Sequence, residues 1–231
     1  MSPWPQIVAL LPMRHDSERV PGKNYRSFAG VPLYHHVMHT LIACPLLAGV
    51  VIDTDSQAIM DDAAAAFPGT RLLERPKHLR NGNIPMNDVL MQTTARVTAD
   101  YYLQTHSTNP LLTTATVTRA IEAFIGSIPQ HDSLFSVKRL QTRLWDAEGR
   151  PLNHDPAHLL RTQDLPPVFE ENSCLYIFSR EGFVRRNNRI GSRPLLFEMN
   201  QFESWDIDVE EDFQIAELLF RAREQSQGAS P

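Results

Sequence analysis

The sequence predicts an α/β protein with a doubly wound, mostly parallel sheet, and two features of its first half lead to this prediction. Short apolar runs at residues 7–11, 49–55 and 101–104 have the length and composition of buried strands. Segments with apolar residues at helical spacing separate these runs. Strands that alternate with helices of this length imply right-handed crossover connections, and therefore a parallel sheet.

The elements of the first half follow one another in a regular order. A helix can open at Pro32, has apolar residues at every fourth position, and stops before Pro45. The Ala-rich segment after the second strand predicts another helix, and we interpret Asp55 as its cap. We predict further strands at residues 71–73 and 134–138, and further helices at residues 87–97 and 113–125.

The pattern changes after Pro129. The stretch that follows the strand at 134–138 is polar and turn-rich and lacks a helical period, which indicates a small inserted β arm. Strands at 174–178 and 194–197 and a last helix from 208 to about 223 complete the order. We assign residues 1–138 and 171–225 to one α/β domain, residues 139–170 to the arm, and residues 226–231 to a flexible tail.

Composition excludes several classes of protein. The chain has 231 residues and a net charge of −5, which argues against a general nucleic-acid binder because such proteins are basic. Cys44 and Cys174 are too far apart in sequence to suggest a disulfide framework, which indicates a reducing compartment. The N-terminal apolar run is too short for a signal peptide or a membrane span. We therefore expect a soluble, cytoplasmic protein without a membrane partner.

The loop after the first strand concentrates positive charge. It holds Arg14, Arg19 and Lys23 together with a Pro21-Gly22 turn. In open α/β sheets, ligands bind beyond the carboxyl ends of the strands. Arginine forks and a mobile lysine charge at this place suit a polyphosphate. Cations alone would equally fit a solvated surface turn.

A second informative stretch, residues 204–208, contains Asp206 and Asp208. Side chains two apart on an extended segment point the same way, so both carboxylates can face one hard cation. Magnesium usually takes one or two protein carboxylates and completes its shell with water and substrate phosphates. Two solvated acids before a helix are the alternative interpretation.

The pattern R-x-x-S-x-R-V-P-G-K-N at residues 14–24 resembles the opening motif of the acylneuraminate (CMP-sialic acid) cytidylyltransferase family. The family also has an S-x-D-I-D segment before its last helix, matched by residues 204–208, and an R-x-Q-x-L-P block, matched by residues 161–166. Its T-x-P-L turn is matched by residues 108–111. The resemblance implies a nucleotide-diphospho-sugar transferase fold. It also implies transfer of CMP from CTP to an acidic 2-keto sugar, with release of pyrophosphate.

The resemblance also assigns roles to single residues. Lys23 and Arg14 would be catalytic, by holding the triphosphate and stabilising the departing pyrophosphate, and Asp206 and Asp208 would bind Mg²⁺. The expected substrate-binding residues are Asn24 for the ribose or base, Arg75 near the base, Arg161 at the sugar end, Arg19, and His106. His106 stands where the family has Gln, and both a sugar contact and a hydrogen bond within the crevice wall remain open for it. The family's dimers imply that the arm reaches across a two-fold axis to a second copy of the chain.

Two departures from the family pattern keep other functions open. Glu18 stands where most relatives have a basic residue, and Met86 replaces a small residue expected near the base. One alternative is a nucleotidyltransferase of the same fold with another base or sugar. Another is a relative that binds a nucleotide without turnover. The early motif counts against a third alternative, a D-x-D glycosyltransferase.

Overall fold

A seven-stranded sheet forms the centre of this computed structural model, which describes residues 4–228. The strands, with one separate two-stranded hairpin included, are β1 Ile7–Met13, β2 Ser27–Phe28, β3 Val31–Pro32, β4 Gly49–Thr54, β5 Arg71–Glu74, β6 Tyr101–Gln104, β7 Ser133–Leu140, β8 Val168–Phe178 and β9 Pro194–Glu198. The order across the sheet is β5-β4-β1-β6-β8-β7-β9, with β2 and β3 forming the hairpin. The predicted fold class is confirmed.

Only β8 among these seven strands runs against the others. β1 pairs in parallel with β4 and β6, β4 with β5, and β7 with β9, whereas β8 is antiparallel to both β6 and β7. The reversal arises because β7 returns to β8 through the arm, without a crossover helix. β9 lies at the sheet edge, as predicted.

Helices cover both faces of the sheet. They are α1 Leu33–Ile42, α2 Gln57–Ala66, α3 Met86–Arg96, α4 Thr114–Gly126, α5 Arg180–Arg186 and α6 Glu210–Gly228. Along β1, residues 7, 9, 11 and 13 pack into one apolar cluster, whereas residues 8 and 10 pack into another on the opposite face. A strand buried on both faces is continuously apolar, which explains the uninterrupted run in the sequence.

The predicted cap of α2 is wrong. Ser56, not Asp55, precedes the helix, and its Oγ accepts a hydrogen bond of 3.3 Å from the Ile59 amide. β4 ends at Thr54, so the turn into the helix needs one residue more than the sequence pattern suggested. Asp55 instead accepts a hydrogen bond of 2.7 Å from the amide of His15, in the loop after β1.

The segment predicted as an arm leaves the sheet between β7 and β8. The two strands pair as far out as Leu140 and Val168, so the antiparallel ribbon extends two to three residues into the predicted segment at each end. Beyond it the chain is mostly irregular, with one bridge between Trp145 and Pro151 and a 3₁₀ turn at Thr162–Asp164.

The last helix is longer than predicted. α6 extends to Gly228, so residues 226–228 belong to the helix and not to a tail, and residues 229–231 lie outside the described residues. Arg223 Nη1 donates to the Leu111 carbonyl at 2.8 Å, which holds the later turns of α6 against the domain. No helix within residues 4–228 combines the length and apolar character needed to cross a bilayer.

A third apolar cluster joins distant parts of the chain. It brings together Val20 from the loop after β1, Phe28 of the hairpin, Ile207, and Phe213 and Ala216 of α6. Ile207 is fully buried in it. The cluster therefore fixes the segment that holds Asp206 and Asp208 against the cationic loop.

Candidate active site

A cavity of about 390 Å³ opens at the carboxyl ends of β1 and β6, and we call it the main cavity. All but one of the site residues predicted from the sequence line it. They are Arg14, Arg19, Lys23, Asn24, Arg75, His106, Asp206 and Asp208. The cationic loop and the late aspartates thus face one shared space, at the position where open α/β sheets bind ligands.

The cationic loop depends on Gly22. This residue has a φ of +65°, and a Cβ at its position would lie 2.9 Å from the Tyr25 hydroxyl oxygen. The amide of Lys23 donates to the Val20 carbonyl at 3.2 Å, and that of Arg26 to the Gly22 carbonyl at 3.0 Å. Glycine tolerates both the conformation and the close approach, so the loop can turn Lys23 into the cavity.

Asn24 holds the loop in place. Its Nδ2 donates to the Arg14 carbonyl at 2.7 Å, and its Oδ1 accepts from the Ser107 hydroxyl at 2.7 Å. Both ends of the amide are therefore bound to protein, and the side chain is buried. These bonds fix the position of Asn24 in the cavity wall, and its expected contact with the ribose or base stays a prediction.

Lys23 reaches across the main cavity to the aspartate segment. Its Nζ donates a hydrogen bond of 2.5 Å to the Ile207 carbonyl. Burial lowers the pKa of Lys23 from its ordinary value, while the charges of Asp206 and Asp208 oppose this shift. The ammonium is thus partly stripped of water and still has hydrogens available for a ligand.

The aspartates flank the inward-facing Ile207. The amide of Ile207 donates to the Thr108 carbonyl at 3.0 Å, which holds this segment in place. The carboxylates of Asp206 and Asp208, on either side of Ile207, both line the cavity. Burial raises the pKa of Asp206, a hydrogen bond with the Thr108 side chain and the charge of Lys23 oppose this shift, and the charge of Asp208 adds to it. Asp206 Oδ1 is buried and has no hydrogen-bond partner among the described residues.

Arg19 compensates part of this negative charge. Its Nη2 lies 2.7 Å from Asp208 Oδ1, and both side chains are about half exposed. Exposed pairs of this kind contribute roughly 0–1 kcal/mol, so the contact can be exchanged for a ligand at little cost. Within residues 4–228, no group of three or more His, Cys, Asp or Glu side chains has an arrangement suited to a metal ion.

Arg75 is held from behind by Asp53. The guanidinium is buried, with Nε 2.6 Å from Asp53 Oδ1 and Nη2 3.1 Å from the Asp53 carbonyl. The second carboxylate oxygen of Asp53 accepts from the Thr93 hydroxyl at 2.9 Å. Arg75 lines the main cavity, as expected of a residue near the base, but its contacts within the chain are structural.

His106 lies in the cavity wall and makes a hydrogen bond there. Its Nε2 is 2.9 Å from Gln104 Nε2, at the end of β6. Burial, with smaller contributions from Arg189 and Lys23, lowers the pKa of His106 to about 3. The ring is therefore neutral at physiological pH.

Arg161 is the predicted site residue that the structure leaves outside the main cavity. Its Nε lies 2.6 Å from Asp164 Oδ2 in the exposed arm. Among residues 4–228, Arg161 is not one of those that line the main cavity. Arg161 belongs to the arm, and the arm leaves the sheet beyond the last β7–β8 pair, which separates Arg161 from the other predicted site residues.

The two departures from the family pattern both lie at the main cavity. A Cβ at Gly82 would lie 2.8 Å from Arg14 Nη1 and 3.1 Å from Glu18 Oε1, so the loop before α3 packs directly on the cationic loop. Met86 opens α3 and lines the same cavity. Glu18 therefore places a carboxylate beside Arg14 at the end of the cavity that these loops enclose.

A second cavity of about 480 Å³ adjoins the first and was not predicted. The two share Ser173, Asp206 and Asp208, and Lys138 from β7 is the cation of an otherwise acidic and polar lining. Ser173 has a φ of +57°, a conformation that favours glycine. Neither Ser173 nor Lys138 was singled out as a site residue from the sequence.

Comparisons with known proteins find relatives along nearly the whole chain. A family model described as cytidylyltransferase matches residues 8–227. The chain is 27% identical over 219 residues to N-acylneuraminate cytidylyltransferase A of Danio rerio, covering 91% of this chain and 50% of that relative. It is 26% identical over 235 residues to CMP-N,N'-diacetyllegionaminic acid synthase of Legionella pneumophila, covering 96% of this chain and 99% of the relative. The chain thus spans about half the length of the fish relative and almost all of the bacterial one.

The fold is also that of solved nucleotidyltransferases. A structure of CMP:2-keto-3-deoxy-manno-octonic acid synthetase complexed with CTP superimposes with a TM-score of 0.68 at 15% identity. The match covers 94% of this chain and 99% of that one. At this identity the likeness concerns the fold alone.

Proposed function

The chain belongs to the cytidylyltransferase family, and on this premise we propose that it activates an acidic 2-keto sugar with CTP, giving a CMP-sugar and pyrophosphate. Sialic acid and related nonulosonic acids are the proposed sugar class, because relatives of this chain are named for sialic and legionaminic acids. The observation that carries the proposal is the main cavity, which unites Arg14 and Lys23 with Asp206 and Asp208.

The proposed reaction needs a divalent cation, and the residues fit Mg²⁺. Asp206 Oδ1 is a buried oxygen without a partner among the described residues, and Asp208 lies beside it on the same extended segment. Both are hard oxygen donors of the kind Mg²⁺ prefers. When bound, the ion would neutralise charge on the phosphate oxygens. Asp206 and Asp208 would hold it, with Arg19 released from Asp208.

The chain's own cations would bind the triphosphate and stabilise the leaving group. The anomeric hydroxyl of the sugar loses its proton to solvent as its oxygen forms a bond to the α-phosphorus of CTP, and the bond between that phosphorus and the bridging oxygen to the β-phosphate breaks, releasing pyrophosphate. Such transfers depend mainly on alignment and on neutralising charge. Lys23, held by the Ile207 carbonyl, and Arg14, whose backbone is held by Asn24, are the groups placed to bind the triphosphate and stabilise the leaving pyrophosphate.

The sugar is proposed to occupy the second cavity. That cavity shares Asp206 and Asp208 with the first, so a sugar there would place its hydroxyl next to the phosphates. Lys138 Nζ lies 3.6 Å from Glu170, a loose contact that leaves the ammonium available to a sugar carboxylate. The surrounding carboxylates can accept hydrogen bonds from sugar hydroxyls.

A direct test is to measure pyrophosphate release with CTP, UTP, ATP and GTP against sialic, legionaminic and 3-deoxy-octulosonic acids. We expect release with CTP and at least one of these sugars, with the CMP-sugar identified by mass spectrometry. Release with another nucleotide would indicate the same chemistry with another base. CTP binding without release for any sugar would contradict the proposal and favour a nucleotide-binding relative.

We also propose that the chain forms a homodimer through the arm. Large apolar side chains on the arm are exposed to solvent, among them Leu159 at 70% and Leu160 at 52%. Light scattering at micromolar concentration is expected to give the mass of a dimer, and Leu159→Ser with Leu160→Ser to give a monomer. Leu218→Ser on α6, where the side chain is 69% exposed, is the matched control and should leave the dimer intact. A monomeric wild-type mass would refute this proposal.

The proposed site of action is the reducing cytoplasm. Cys44 and Cys174 are both free and buried, which suits a compartment where thiols stay reduced.

A further inference from the structure

Three side chains form a hydrogen-bonded series that ends in the wall of the main cavity. Arg189, after α5, donates from Nη1 to Gln104 Oε1 at 2.9 Å. Gln104 is fully buried, and its Nε2 lies 2.9 Å from His106 Nε2. The Arg189 guanidinium also lies 3.8 Å from the centroid of the Tyr176 ring, so its position is fixed on two sides.

The partners of Gln104 determine which way its amide points. Arg189 can only donate, so the oxygen of Gln104 must face it. The amide nitrogen then faces the Thr105 carbonyl at 3.0 Å, which can only accept, and also faces His106. A reversed amide would put oxygen against the Thr105 carbonyl and nitrogen against the guanidinium. Only one orientation satisfies every contact.

This orientation fixes the proton of His106. The Gln104 nitrogen is a donor, so His106 Nε2 must accept. A neutral imidazole that accepts at Nε2 carries its proton on Nδ1. Arg189 and Lys23, the charged groups that act on the ring, and its burial all disfavour a second proton. The described residues provide no other hydrogen bond to the ring.

We propose that Arg189 and Gln104 are positioning residues that hold His106 as a neutral Nδ1–H donor, and that this donor binds an anionic or carbonyl oxygen of the substrate. His106 shares the main cavity with Lys23, Ser107 and Thr108, where an oxygen-rich ligand would meet it. The tautomer follows from the protein alone. The identity of the accepting oxygen rests on the proposed function.

The tautomer can be measured on substrate-free protein by long-range ¹H–¹⁵N NMR after ¹⁵N labelling of histidine, with His106 identified from a His106→Asn variant. We expect a proton on Nδ1 and none on Nε2 from pH 5 to 8. Gln104→Glu keeps an acceptor for Arg189 but offers only acceptors to His106, so the proton should move to Nε2. Gln130→Glu, an exposed position outside the cavity lining, adds the same charge and should change nothing.

A protonated Nε2 in the wild type would overturn the proposal, as would a folded Gln104→Glu variant with an unchanged tautomer. If Gln104→Glu does not fold, the tautomer of His106 in the wild-type spectrum and the kinetics of the His106 variants test the proposal. The spectrum needs no turnover, so it can succeed or fail independently of the proposed reaction.

Kinetics test the contact with substrate. His106→Asn retains a donor near the place of Nδ1, whereas His106→Leu retains bulk and no hydrogen bond. We expect the KM for CTP or for the sugar to rise about tenfold in the leucine variant, the size of one lost hydrogen bond, and less than about threefold in the asparagine variant. Equal losses in both variants, or no loss in the leucine variant, would contradict a donor role.

Discussion

Lys23 Nζ donates a hydrogen bond of 2.5 Å to the carbonyl oxygen of Ile207, the residue between the two aspartates of the site. The contact joins the loop after β1 to the segment before α6, which are 184 residues apart along the chain. This hydrogen bond therefore depends on correct assembly of the cationic loop and the segment that carries Asp206 and Asp208. The Lys23 ammonium lies at the boundary between the two.

Replacing Lys23 should separate catalysis from folding. We expect Lys23→Ala to lower kcat by a factor on the order of 10²–10³, because a cation at developing charge contributes this much. The lost bond from the charged ammonium to Ile207 should cost about 1.5–3 kcal/mol of unfolding free energy, which leaves the protein folded. Pyrophosphate release and thermal unfolding measure the two effects, and Lys77→Ala, at an exposed position, is the control. A rate of pyrophosphate release within a few-fold of wild type would show that Lys23 is not a catalytic residue.

The aspartates should determine the magnesium requirement. We expect Asp206→Asn and Asp208→Asn to raise the Mg²⁺ concentration for half-maximal activity by at least about tenfold. Loss of a group that only supports a metal ligand lowers metal affinity by about 10–100-fold, and loss of a ligand should cost no less. Excess chelator should abolish wild-type activity, and added Mg²⁺ should restore it. Asp61→Asn, on the exposed side of α2, removes the same charge and should have no effect. An unchanged Mg²⁺ titration in both site variants would contradict the assignment.

Arg75 and Asp53 should behave as a structural pair. Both are buried, so Arg75→Leu leaves the Asp53 carboxylate without its cation and should lower the unfolding free energy by about 3–5 kcal/mol. Urea denaturation measures this loss, and the double variant Arg75→Leu with Asp53→Leu should recover part of it. A loss below about 1 kcal/mol in the single variant would show that Arg75 serves the ligand and not the fold.

His106 should make the protein less stable in acid. Its pKa is about 3 in the folded protein and about 6.5 when unfolded, so between these values the unfolded chain binds a proton that the folded chain does not. Stability from this group is complete above pH 6.5 and falls by about 1.4 kcal/mol for each pH unit below it. Urea denaturation at pH 7 and pH 5 should show a drop about 2 kcal/mol larger in wild type than in His106→Asn. Equal drops would mean that His106 is protonated in the folded state.

Local patterns were enough to predict the fold class and a set of site residues of which all but Arg161 line the main cavity. The cations of residues 14–24 lie in a short motif after β1, and Asp206 and Asp208 lie in another short motif before α6. Contacts between distant segments were not predictable in the same way. Ser107 donates to Asn24 across 83 residues, and Arg189 donates to Gln104 across 85 residues.

The cap of α2 and the position of Arg161 also depend on structure beyond the local sequence pattern. Asp55 and Ser56 are both good caps, and the end of β4 at Thr54 decides between them. Arg161 belongs to a motif, but the arm that carries it leaves the sheet, so its motif alone did not give its surroundings.

β8 is one continuous strand that begins beside the arm at Val168, passes both cavities at Ser173, and ends at Phe178 against β6. The same backbone therefore anchors the arm at one end and forms part of the wall of both cavities further along. A ligand in either cavity and a partner bound at the arm would contact neighbouring parts of a single strand.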